Sequence, residues 1–79
     1  MDGWLEEARA RLVTAVGGEA SDYDLTRSEM DELLELARIA AHESGERTNA
    51  PLVCYLVGLA HARHGGDLGD LVDAAVGAA

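Results

Sequence analysis

Seventy-nine residues with fifteen acids, six arginines, no lysine and one cysteine describe a single small domain of formal net charge −9. That balance excludes the basic patch through which nucleic acid or anionic lipid is bound, and the lone Cys54 excludes an internal disulfide. A chain of this length buries only about 60% of the surface its unfolded form exposes, so its stability margin is narrow and a partner chain is one way to widen it.

The N-terminus, Met1-Asp2-Gly3-Trp4-Leu5-Glu6-Glu7, carries acids where a secretory signal needs bases followed by an apolar core, which implies a cytoplasmic protein. A first helix is expected from Gly3 to Val16, with Leu5, Ala8, Leu12, Ala15 and Val16 at helical spacing and Trp4 at its head. Gly17-Gly18 stops it. After a loop over 17–27, Thr26-Arg27-Ser28-Glu29 matches a capping box and opens a second helix. Its expected apolar face is Met30, Leu33, Leu34, Ala37, Ala40 and Ala41, and Gly45 ends it.

Asn49 is the expected cap of a third helix, with Pro51 in the first turn, where its missing amide costs nothing. From Ala50 to Ala60 this helix is apolar on every side, so other protein or lipid must enclose it. The run is far short of the roughly 20 residues a bilayer requires, which excludes a membrane span. Gly58 and Ala62 form a small-xxx-small pair suited to close helix approach, so Gly58→Leu is expected to unfold the protein or disrupt its assembly. Gly65-Gly66 closes the helix. Asp67 caps a fourth, whose apolar positions Leu68, Leu71, Val72, Ala75 and Val76 repeat at helical spacing. No segment alternates with period two, so the class is all-α: a compact four-helix bundle-like domain over residues 1–79, with helix 3 (about 50–64) as the buried central helix covered by helices 1, 2 and 4.

The titratable residues form no catalytic constellation. Acids gather at the starts of helices 1 and 2, while Arg38, His42, His61, Arg63 and His64 lie toward helix ends, the arrangement that complements helix dipoles. Asp22-Tyr23-Asp24 begins like a calcium loop, but the glycine and bidentate glutamate of that motif fall on Arg27 and Leu33. His61, His64 and His42 are too few and too loosely spaced for a zinc site, so no metal is expected. Gly65-Gly66-Asp67-Leu68-Gly69 lacks the Lys and Ser/Thr of a phosphate loop. No nucleophile–base pair is evident, and no resident cofactor is expected. Nor does the third helix offer polar side chains for reading a DNA groove.

Arg27-Ser28-Glu29-Met30 resembles the attachment motif of acyl carrier proteins, with Arg27 replacing the acid that precedes the modified serine. Ser28 is the one attachment site that resemblance offers. A broader resemblance rests on Asp2-Gly3-Trp4-Leu5, on Leu33 through His42 and on the Ala50–Ala60 run. These segments are similar to a small family of helical domains of unknown function. Such domains occur mainly in actinobacteria, alone or attached to molybdopterin-guanine dinucleotide biosynthesis proteins. The resemblance implies a helper in molybdenum-cofactor maturation, not a nucleotidyltransferase, because the glycine-rich nucleotide loop and metal-binding acids of such an enzyme are absent.

The expected function is therefore a non-enzymatic module acting by protein–protein contact, with a protein partner or a homodimer covering what one shell of helices leaves bare. Trp4, Tyr55 and His42 are the candidate partner-binding residues, since aromatic side chains commonly anchor interfaces. The alternative is a small-molecule or acyl-carrier-like protein, its ligand oriented by His42, Tyr55 or Ser28.

Overall fold

The computed structural model describes residues 2–78 as four helices, with no strand among them: α1 (Gly3–Val16), α2 (Arg27–Ser44), α3 (Asn49–His64) and α4 (Leu68–Ala75). The all-α class and the four elements match the sequence pattern. Their ends follow from local chemistry. The Asp2 carboxylate accepts from the Leu5 amide at 2.9 Å, and the Asp67 carboxylate from the Asp70 amide at 3.0 Å. At α2 the capping box closes both ways: the Thr26 hydroxyl accepts from the Glu29 amide at 3.1 Å, and the Glu29 carboxylate from the Thr26 amide at 2.8 Å. Gly45 then takes the left-handed conformation (φ +73°) that ends α2 at no steric cost.

Two local expectations are corrected. Asn49 is the first residue of α3 and not its cap. Thr48 holds that position in a helical conformation, and the Asn49 and Ala50 amides already donate to the carbonyls of Glu46 and Arg47. With those donors satisfied by a preceding turn, no side-chain cap is required. The 17–27 loop also contains a short 3-10 turn, Ala20–Tyr23, in which the Asp22 carboxylate accepts from the Glu19 amide at 2.9 Å. Asp24 forms an ion pair with Arg9 of α1. Of the acids of the calcium-like segment, Asp22 thus serves the loop itself and Asp24 ties it to α1.

The core is built by three helices. Leu36 of α2, Val57 of α3, and Leu68 and Val72 of α4 are buried, with Leu33, Val53, Cys54, Leu71 and Val76 packed against them. Leu36 is fully enclosed, a burial worth about 1.5–3 kcal/mol. It was not among the residues expected on the inner face of α2, whereas Leu34, which was, is 70% exposed. Leucines at 33, 34 and 36 spread over about 160° of the helix circumference, and the position of α3 and α4 selects the Leu33–Leu36 side.

The larger correction concerns α1. No residue of α1 brings its Cα within 8 Å of α2, α3 or α4; its one helical neighbour is the 20–23 turn. None of its residues is buried. α3 does pack on both α2 and α4, but the fourth side expected to be covered by α1 stands open, and Val57 is its only buried residue. The radius of gyration, 13.3 Å, exceeds the roughly 11.6 Å of a typical 79-residue domain because α1 stands off the core.

Candidate interaction surface

The open side of α3 is apolar. Leu52, Tyr55 and Leu56 are 62%, 67% and 61% exposed, and the half-buried Leu59 continues the series at i+7 from Leu52, the spacing of a helix-docking seam. Arg63 ends the seam one turn later. Val57 projects to the opposite side, toward the core, so α3 is divided between an inner and an outer apolar face. The helix contains no acid and closes on His61, Arg63 and His64, cations placed where the helix dipole favours them. Among the described residues, no carboxylate lies within 4.0 Å of the Arg63 guanidinium; the ion pairs are Arg9–Asp24, Arg11–Glu7, Arg27–Asp31 and Arg38–Glu35.

Beside the seam runs an apolar groove. One hollow of about 340 Å³ lies between the end of α2, α3 and the end of α4, lined by Ile39, Leu52, Val53, Leu56, Ala75 and Val76 among others. A second, of about 410 Å³, lies between α3 and α4 and shares Val53, Leu56 and Ala75 with the first. Leu56 therefore belongs to both hollows and to the seam, which makes it the centre of the surface. The helix-packing geometry explains the groove: short alanines at 60, 74 and 75 leave room that larger side chains would fill.

Tyr55, Gly58 and Ala62 all lie on the exposed part of α3. A Cβ at Gly58 would meet nothing within 4 Å, so no helix of this chain approaches it closely. The close packing expected at Gly58 and Ala62 does not occur within the chain. Trp4 is 70% exposed on α1, on a helix separate from Tyr55, and His42 is exposed in the last turn of α2. Ser28 is exposed in the first turn of α2, within the capping box that orders the backbone around it. Leu52 and Leu56 were missed as surface residues, although the lack of acids on α3 and the 52, 55, 56, 59 spacing signal a second face.

The chemistry of the polar groups is modest. The Cys54 thiol donates to the Leu33 carbonyl at 3.7 Å, and burial pushes its pKa above the ordinary value of 9.0, which disfavours the nucleophilic thiolate. Hydrogen bonds from Arg38 hold the Glu35 carboxyl below its usual range, with the Arg38 charge acting in the same direction. Among the described residues no three His, Cys, Asp or Glu side chains are placed to hold a metal ion, and no helix is long and apolar enough to cross a membrane.

The chain belongs to a family described as a domain of unknown function (DUF6457), whose model matches residues 1–79. No curated protein and no solved structure matches it.

Proposed function

We propose that the protein is a non-enzymatic helical accessory module that works in the cytoplasm by protein–protein contact, docking through the outer face of α3. The observation that carries this reading is the exposure of Leu52, Tyr55 and Leu56 together on one acid-free side of a helix. Large apolar side chains grouped in this way mark interaction sites, and a concave groove beside them accepts a partner's side chains. Trp4 and His42 lie off this face and are secondary contacts at most.

The partner suggested by the resemblance described above is a guanylyltransferase-type enzyme of molybdenum-cofactor maturation in actinobacteria. With net charge −9, the module favours a partner whose surface around its apolar anchor is basic. Titration calorimetry of the purified module against such an enzyme tests the reading. Leu56→Asp, at an exposed position, is expected to weaken binding at least tenfold with the far-UV circular dichroism unchanged. Equal affinity of the variant and the natural chain refutes the docking face.

A further inference from the structure

Two apolar features of this chain lack a partner within it, and they match. The first is the outer seam of α3, Leu52 to Arg63. The second is α1, whose Trp4, Leu5, Leu12 and Val16 are exposed, the leucines and valine forming one stripe from Leu5 to Val16. Each seam covers twelve residues, about 16 Å of helix from first to last. An isolated helix of 14 residues is marginal in water, so α1 requires tertiary packing that its own core does not supply.

We infer that, in the absence of an enzyme partner, the outer face of α3 is covered by α1 of a second copy of this chain, each copy giving its α1 to the other in a closed two-fold dimer. This rests on the docking role of α3 proposed above and names the resting occupant of that surface.

Three observations support the assignment. The accessible surface is 5769 Å², against about 4,600 Å² for a typical folded monomer of 8.3 kDa. The excess, roughly 1,200 Å², is of the size each partner contributes to a stable interface, about 800 Å² or more. Charge also selects the orientation. Asp2, Glu6 and Glu7 lie at the start of α1, whereas the end of α3 carries Arg63 with no carboxylate near it among the described residues. Laying α1 antiparallel to the partner's α3 brings those acids to Arg63 and opposes the two helix dipoles favourably. Finally, reciprocal exchange satisfies both unpartnered features at once and closes, whereas one-way docking would leave a free end and build filaments. The net charge of −9 on each copy opposes association at long range, but salt screens it beyond about 8 Å.

Trp4 is the only tryptophan, which makes its fluorescence a direct report on α1. Analytical ultracentrifugation and Trp4 emission are measured together on the full chain over roughly 1–200 µM, a range that brackets micromolar affinity. The expected result is a twofold rise in mass from 8.3 kDa accompanied by a blue shift of Trp4 emission, both lost in Leu56→Asp and both weakened in Arg63→Glu. Should Leu56→Asp fail to fold, Tyr55→Glu serves in its place. A chain monomeric at every concentration overturns the inference, as does a dimer whose Trp4 emission does not move. A monomer that still binds its enzyme through Leu56 overturns self-docking alone. A dimer of the expected kind whose enzyme binding ignores Leu56 overturns the enzyme-docking reading alone.

Discussion

The region 2–24 and the region 27–76 obey different rules. In the second, three helices enclose Leu36, Val57, Leu68 and Val72, and every helix touches the other two. In the first, a helix of similar apolar content is tied to the loop that follows it, through the Arg9–Asp24 pair and the Tyr23 hydroxyl on the Gly17 carbonyl, while its Asp2 cap shares a shallow hollow with Arg27, Met30, Asp31 and Leu34 of α2. Both regions have sound caps, so the difference lies in the packing that follows helix formation. Caps decide where a helix starts; only enclosure makes it resist opening.

The sharpest break in that comparison is Leu36→Ala. It leaves a cavity beneath three helices and is expected to cost about 2–5 kcal/mol in urea denaturation, while Leu12→Ala on exposed α1, measured at concentrations too low for the chain to pair, stays within about 0.5 kcal/mol. Equal costs would mean that α1 shares the core. Next is Thr26→Ala, which removes half of the capping box at the entry to the core and should cost about 1 kcal/mol by the same measurement.

Gly58→Ala should raise stability by about 0.5–1 kcal/mol, because the new methyl meets open space and the helix loses a flexible residue. A loss of stability would restore the close-packing role expected from the Gly58–Ala62 pair. At low concentration Arg9→Ala should leave the melting temperature almost unchanged yet speed amide hydrogen exchange in α1, since an exposed ion pair contributes at most about 1 kcal/mol locally. The smallest expected effect is at Cys54. Its proton is held more tightly in the folded than in the unfolded chain, so its contribution is intact below about pH 9 and is lost as pH rises beyond it. Cys54→Ala should therefore flatten part of the alkaline decline in urea midpoint.

Much of the fold was legible because helix ends are local. Asp2, Thr26, Glu29, Gly45 and Asp67 act on amides and carbonyls within a turn of themselves, and residue identity suffices to place them. The Asn49 cap failed for the same kind of reason in reverse: backbone bonds from the preceding turn had already satisfied the donors it would have served. The candidate site was legible in part. The surplus of apolar residues on α3 announced an uncovered face and named Tyr55, but it could not tell that Leu52 and Leu56 lay outside while Val57 lay inside.

The sequence by itself thus determined four helices, all their boundaries but the start of α3, an acidic surface and an excess of apolar residues, since each follows from composition or from contacts a few residues apart. Tertiary structure alone decided which of those faces meet. α2 turns Leu36 inward and Leu34 outward, and α1 stands beside the 20–23 turn instead of over α3. Periodicity reports that a helix has an apolar face; where that face goes depends on what the rest of the chain brings to it, a non-local fact.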